Sequence, residues 1–263
     1  MNSELIIKIL VCFLGGMGAG LGTGFAGMSA AAVIGPVLVG FLDVPAYEAV
    51  GIGLASDVIA SAASALTYQR HKNLDIKKAL PLMGAVLIMT VVGSFVASFL
   101  PEATMGNAMI IAMLLLGVRF ILRPIKESRE QAVERSPRKQ LILSLVGGAI
   151  VGLICGFIGA GGGMMMLFFL TGILGYEMHK AVGTSVFIMT FTALTGGVSH
   201  FVIGGMPDIT CLVLCVVFTF LWSVIASWIA NRARARTLNR IVGTVLLLMG
   251  AAIFLLDLFA AGA

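Results

Sequence analysis

The chain has 263 residues, of which 59% are hydrophobic and 11% charged, and its mean hydropathy is +1.08. A soluble domain carries about 25% charged residues, so this composition excludes a water-soluble enzyme, a nucleic-acid-binding domain and a disordered chain. What remains is a polytopic membrane protein, in which the net charge of +5 belongs to loops between apolar runs.

The N-terminal MNSELIIKIL has an acid and one Lys ahead of a Gly-rich run. It lacks the basic start and small-residue cleavage site of a signal peptide and reads as mature chain. Apolar runs predict segments at 5–22, 28–42, 46–69, 78–100, 104–122, 141–158, 164–176, 179–203, 208–230 and 238–258. That agrees with the roughly ten passes that fit at about 20 residues each. The second and seventh are short for a full crossing and can span or re-enter. One long polar stretch, RPIKESREQAVERSPRKQ at 123–140, divides the chain near its middle. It is either plain connector or an amphipathic helix on the inner surface. The expected organisation is a first membrane repeat at 1–122, a basic cytoplasmic linker at 123–140 and a second membrane repeat at 141–263. The Met run 164–166 and the scattered Phe residues read as packing and lipid contact. RARAR at 232–236 reads as a topology anchor rather than a nucleic-acid patch. Cys12, Cys155, Cys211 and Cys215 lie in apolar stretches with no CxxC pair and no Cys/His cluster. No metal, disulfide or cofactor is expected from them.

Shifting the second half back by 132 residues aligns the two halves. GFAGMSAAAVIGPVLVGFL (24–42) lies over GFIGAGGGMMMLFFLTGIL (156–174), and AVG (49–51) over AVG (181–183). Gly24 falls on Gly156, Gly27 on Gly159, Gly40 on Gly172 and Gly51 on Gly183. Each half holds five segments, an odd number, so the halves are expected to be inverted. The charges agree. With both termini outside, every Lys and Arg except Lys8 falls on the cytoplasmic side, and Glu4, Asp43, Glu48, Glu102, Asp208 and Asp257 fall on the other. The expected fold class is an all-α polytopic protein of the cell inner membrane. It has two inverted-topology repeats, with Gly-rich broken or re-entrant helices at the repeat interface.

Glycine supplies 33 of the 263 residues and concentrates in GGMGAGLGTGFAG (15–27) and CGFIGAGGG (155–163). Gly22, Gly24 and Gly27 spell GxGxxG, but a dinucleotide site needs a βαβ unit that this chain lacks. One reading is close helix packing through small residues. The other is that both runs unwind helices and expose backbone N–H groups to an anion near the repeat interface. Asp57 is the one acid well inside an apolar segment. It shares a helical stripe with Ser61, Ser64 and Tyr68. It is either a proton-coupling group or a structural acid bonded to neighbouring hydroxyls. The aligned segment carries Thr184, and puts Ser185, Thr192, Gly196 and His200 near one face. His200 either binds an anion or carries a proton, or simply reaches the interface. No HExxH motif, paired intramembrane acids or nucleophile context suggests an enzyme, and no catalytic residue is expected.

These residues resemble the TauE/SafE sulfite exporter family of membrane permeases. GFIGAGGGMMM (156–166) and HKAVGTSVFIMTFTALTGGVSHFVIGGMPD (179–208) match best, and GTGFAGMSAAAVIGP (22–36) with YQRHKNLD (68–75) is a weaker copy. The resemblance implies a permease for small anions, often sulfur-bearing, such as sulfite or sulfonates. It implies a site at or near Gly159, Gly161, Gly162, Gly163, Thr184, Ser185 and His200; Gly24, Gly27 and Ser29 at the first-half glycine run are further candidates for substrate binding. The first half departs from the pattern: Ile52 and Gly53 stand for Thr184 and Ser185, Tyr68 for His200, and Asp57 for Met189. The expected function is a secondary transporter for a small anion by alternating access. Its expected partners are that anion, the bilayer and protons as coupling ion. The competing readings are an anion channel, a membrane-embedded enzyme and a non-transporting assembly partner.

Overall fold

The computed structural model describes residues 3–122, 137–159, 162–232 and 235–261. Among them all regular structure is helical. The order is α1 (Ser3–Ala26), α2 (Ala31–Leu42), α3 (Ala46–Arg70), α4 (Ile76–Ala97), α5 (Glu102–Leu122), α6 (Pro137–Ile158), α7 (Gly162–Phe168), α8 (Met178–Gly204), α9 (Ile209–Ala230) and α10 (Ala235–Ala261). Seven of these are long and apolar enough to cross a membrane: α1, α3, α4, α5, α6, α8 and α9. The two segments that looked short are short. α2 has 12 residues, and α7 has 7 before a π-helical turn at Phe169–Ile173. In α10 the apolar stretch is Arg240–Leu255. Most of linker 123–140 lies outside the described residues.

The main contacts run between elements distant in sequence. α1 packs on α9, α6 on α4, α3 on α8 and α9, and α5 on α10, while α2 sits among α1, α3, α5 and α10. Lipid supplies no hydrophobic drive between helices, so close packing of small residues has to hold them together. The glycine run of α1 serves that purpose. The chain stays helical through Ala26 and breaks only at 27–30, a narrower break than the run 15–27 suggests. Gly16, Gly20 and Gly24, four residues apart, share one helix face. A Cβ on them would stand 2.6, 2.6 and 2.5 Å from the Cβ atoms of Phe218, Trp222 and Ala226 on α9. On α6, Cβ atoms at Gly148, Gly152 and Gly156 would stand 2.7, 2.3 and 2.0 Å from the carbonyl oxygens of Leu82, Val86 and Thr90 on α4. These are the same three positions, displaced by the offset that aligns the sequences.

Polar ties hold both ends of the bundle. At one end Lys8 Nζ donates to Asp208 Oδ2 at 2.8 Å. Asp208 caps α9 by accepting from the Thr210 and Cys211 N–H groups, and its own N–H donates to Glu48 Oε1 at 2.7 Å. Nearby the Tyr47 N–H donates to Glu102 Oε2 at 3.1 Å. At the other end Asn73 Nδ2 donates to Asn231 Oδ1 at 3.1 Å. A Cβ on Gly183 would lie 1.9 Å from the Asn73 carbonyl oxygen.

Two predictions follow from this packing. Gly152→Ala forces the α4–α6 contact apart at a cost of about 1–3 kcal/mol. Gly84→Ala, with nothing within 4 Å of the new methyl, should be neutral or gain about 0.5–1 kcal/mol from helix propensity. Melting temperatures of the purified variants in detergent test the contrast. Separately, the hydrogen bond from Lys8 holds the Asp208 carboxyl below the usual carboxylate range. The ionised cap therefore adds stability that is lost as pH falls through that lowered value. Asp208→Asn should flatten the acid limb of a melting-temperature profile below about pH 4.

Candidate functional site

The two chain breaks meet in the middle of the molecule. Each opens on a glycine in the left-handed region, Gly27 at φ 62° and Gly159 at φ 64°, where a side chain is strained. The Gly27 N–H donates to the Thr23 carbonyl at 3.0 Å and the Gly159 N–H to the Cys155 carbonyl at 2.8 Å, closing α1 and α6. The heads of the next helices then touch. A Cβ on Gly163 would lie 2.3 Å from the Gly27 carbonyl oxygen and 2.8 Å from the Ser29 nitrogen; one on Gly159 would lie 2.9 Å from Ala31 Cβ. Ser185, fully buried on α8, places its hydroxyl between the breaks. Oγ lies 3.2 Å from the Gly27 carbonyl oxygen and 3.1 Å from that of Gly163. One hydroxyl proton thus serves a carbonyl from each half.

The structure therefore brings Gly27, Ser29, Gly159, Gly163 and Ser185 together. Gly162 stands beside them, its Cβ position 2.8 Å from Cys155. Gly161 lies outside the described residues. Gly24 belongs to the α1–α9 contact, though its carbonyl accepts from the Tyr68 hydroxyl at 3.0 Å. The neighbouring Thr184 faces the loop after α3, and its hydroxyl accepts from the Asp75 N–H at 3.2 Å.

Asp57 is fully buried, as are Ser61, Ser64 and Tyr68 on the same stripe of α3. Its carboxyl faces Ser29, the Ala30 N–H and Thr23. Neither carboxyl oxygen, nor the Thr23 or Ser29 hydroxyl, closes a hydrogen bond of normal geometry. Ser61 does not turn to the carboxyl; its hydroxyl donates to the Asp57 backbone carbonyl. Of the two readings of Asp57, a carboxylate already bonded to its neighbours is not what the geometry displays.

His200 occupies a different place. It is buried rather than reaching the interface, and Nδ1 is 3.0 Å from the Gly196 carbonyl oxygen. Its ring stacks on Tyr47 with centroids 4.4 Å apart, and Nε2 is buried without a partner. Tyr47, with Glu48, Ser98, Glu102 and Ile203, lines a cavity of about 320 Å³ at the Asp208 end of the bundle. His200 therefore lies behind this vestibule and not at the meeting of the breaks.

Two participants, Thr23 and Tyr47, escaped the sequence reading. Thr23 faces Asp57, and its one signal was being the single hydroxyl in GGMGAGLGTGFAG. Tyr47 covers His200, and no spacing rule pairs residues on different helices. Cys12, Cys211 and Cys215, which the sequence reading did name, are free and buried. Among the described residues no group of His, Cys, Asp and Glu is placed to hold a metal ion.

Comparison with known proteins agrees with this architecture. A family model described as "Sulfite exporter TauE/SafE" matches residues 12–253. The chain is 26% identical to the "Probable membrane transporter protein YunE" of Bacillus subtilis (strain 168), over 94% of this chain and 96% of the relative. It is 25% identical to the "Probable membrane transporter protein YdhB" of the same strain, over 86% and 90%. It is 31% identical to a "Probable membrane transporter protein" of Haemophilus influenzae (strain ATCC 51907 / DSM 11121 / KW20 / Rd), over 74% and 75%. These are the names of membrane transporters and not of enzymes. No solved structure matches the chain.

Ser185→Ala removes the donor shared by two buried carbonyls. It should cost about 1–3 kcal/mol, seen as a lowered melting temperature. Thr192→Ala, whose hydroxyl bonds only the Ile188 carbonyl of its own helix, should be near neutral. Equal effects would remove Ser185 from its bridging role.

Proposed function

The chain belongs to the sulfite exporter TauE/SafE family, and from that premise we propose that it carries a small sulfur-containing anion, sulfite or a sulfonate, across the cell inner membrane. The observation that carries this reading is the convergence of two helix heads, one from each half, at Ser185. The helical run beginning at Gly162 continues through the π-helical turn to Ile173, so it is about as long as α2. The N-terminus of a helix presents unpaired N–H groups and partial positive charge. Two such heads meeting suit an anion without a buried Arg or Lys. Gly27, Ser29, Gly159, Gly161, Gly162, Gly163, Thr184 and Ser185 form the substrate region in this reading, with Gly24 behind it. His200 serves the path from the vestibule.

The packing supports two inverted repeats of five helices. The α1–α9 contact maps onto the α6–α4 contact when the halves are exchanged, with the same three glycines at the interface. The α3–α8 and α5–α10 contacts map onto themselves. The breaks sit at the boundary, so a rocking of one repeat against the other would expose the site to alternate sides. In this reading α1–α2 and α6–α7 are re-entrant pairs, 123–140 is a cytoplasmic linker, and both termini lie outside. The start of α1 and the head of α3 both reach Asp208, as a hairpin returning to its own face requires. Asp57 is the coupling group, taking up and releasing a proton as the anion moves.

The test is uptake into proteoliposomes of sulfite, thiosulfate, sulfoacetate, isethionate, taurine and carboxylate analogues, each with and without a pH gradient. Selective uptake of one sulfur anion, with counterflow exchange, is expected of a carrier; flux without counterflow would make it a channel. Asp57→Asn should abolish accumulation driven by the pH gradient while leaving exchange. Undiminished driven accumulation in that variant would remove Asp57 from coupling.

A further inference from the structure

A groove of about 470 Å³ lies between α5, α6 and the run formed by α7 and its π-helical turn. It opens toward lipid, since Val146, Ile150 and Phe168 on its walls are each about half exposed. Its floor is Phe169, whose ring occupies the space that a Cβ on Gly147 would need. Apart from Arg119 the lining is apolar. Arg119 stands in the last turn of α5, and its guanidinium lies over the Phe168 ring, 4.4 Å from the centroid, a contact that holds a cation in place. Among the described residues the ion pairs are made by Lys8 alone, so no carboxylate there meets the Arg119 charge. An arginine that served only to anchor topology would turn to water. This one lies against an apolar wall.

The groove is polarised along its length. α5 starts at the Glu102–Tyr47 tie, so Arg119 stands at the opposite end of the bundle, with Leu143 near the start of α6 and Ile173 at the close of the π-helical turn. Ile150 and Met165 lie deeper, toward the chain breaks. The other half has the same groove without the charge. Exchanging the halves at the offset of 132, with one residue inserted ahead of α9, puts Val11 on Leu143, Leu14 on Val146 and Val37 on Phe169. It also puts Met249 on Leu116 and Ala252 on Arg119. These five second-groove residues line a wholly apolar cavity of about 280 Å³ between α1, α2 and α10. The α5–α10 contact obeys the same exchange: a Cβ on Gly117 would meet Leu247, and one on Gly250 would meet Leu114. The fold thus builds this groove twice, and Ala252 shows that its packing needs no cation.

We propose that the groove between α5, α6 and α7 is a binding site for an anionic phospholipid, with one acyl chain along Val146, Ile150 and Met165 and the phosphate paired with Arg119. Charge at the rim and hydrocarbon below match a headgroup at the interface and its chain beneath. The guanidinium fork fits two phosphate oxygens, and the pairing neutralises a charge that is costly beside hydrocarbon. A zwitterionic headgroup carries its own cation next to the phosphate and has less to gain. The groove lined by Ala252 accepts a chain without regard to headgroup. The inference goes beyond the transport reading and does not depend on what is carried.

Purified protein in detergent would be equilibrated with an equimolar mixture of dioleoyl phosphatidylglycerol and dioleoyl phosphatidylcholine, and the lipid retained after washing counted by mass spectrometry. Wild type should retain phosphatidylglycerol over phosphatidylcholine by about fivefold, the preference expected of one Arg near the membrane surface. Arg119→Gln should bring the two lipids to parity. Lys139→Gln, which removes an exposed cation at the same end of the bundle, should leave the preference unchanged. Ile150→Trp fills the groove from its apolar side and should lose the preferred lipid with Arg119 in place; it carries the test where Arg119→Gln does not fold. Excess glycerol 3-phosphate should not displace the lipid. Equal retention of both lipids by wild type would overturn the proposal, as would a preference that survives Arg119→Gln or Ile150→Trp. A preference lost equally in Lys139→Gln would assign it to diffuse surface charge, and displacement by glycerol 3-phosphate would assign the site to a soluble anion. A wild-type dimer that Ile150→Trp dissociates would give the groove to a second copy. Each of these last three outcomes also overturns the proposal, and none bears on uptake of sulfur anions.

Discussion

The structure depends on how closely two helix backbones can approach when no water drives them together. In lipid the gain comes from dispersion and short polar contacts, and both decay within an ångström or two of extra separation. The stripes Gly16, Gly20, Gly24 and Gly148, Gly152, Gly156 meet that condition. Each allows a helix to lie against the backbone of another that is far away in sequence. These contacts join the first half to the second, so they also set where the ends of α1 and α6 fall. The break after α1 and the head of α7 then meet at one residue of α8, Ser185, which bonds the carbonyls of Gly27 and Gly163.

That position determines the polar chemistry available. A helix that stops inside a membrane protein leaves carbonyls at its end, and the helix that follows leaves N–H groups at its head. Tyr68 and Ser185 donate to the carbonyls of Gly24, Gly27 and Gly163, so the acceptors are largely answered from within the protein.

Much of this was legible in the residues. The offset between the halves, the paired glycines and the buried stripe Asp57, Ser61, Ser64 and Tyr68 follow from spacing alone, because helical periodicity and repeats are local patterns. What spacing could not tell was which glycines unwind the chain and which pack it. Gly16, Gly20 and Gly24 lie in a run that reads either as close helix packing or as an unwound break; they are helical, and α9 occupies the space their side chains would need. Among the described residues of the two runs, only Gly27 and Gly159 adopt a left-handed conformation, and composition does not separate them from their neighbours. Contacts between helices were equally hidden. The stacking of Tyr47 on His200 and the approach of Thr23 to Asp57 arise from three-dimensional register, which no pattern along one helix encodes.

The two halves share a scaffold but differ where polar chemistry is concentrated. Ser185 faces the breaks, while its counterpart Gly53 has no side chain and allows Ala31 to approach, its Cβ position 2.6 Å from Ala31 Cα. Tyr68 ties α3 to the end of α1, while its counterpart His200 lies under Tyr47 by the vestibule. Asp57 carries an acid where Met189 carries none. In each pair one half has spent the position on packing or internal bonding and the other has kept a polar group at the centre or along the approach to it. A scaffold with two equivalent heads would bind two like charges a short distance apart, and their repulsion in a low-dielectric interior would oppose joint occupancy. The asymmetry at the pairs Asp57/Met189, Gly53/Ser185 and Tyr68/His200 makes the two heads of this scaffold chemically unlike.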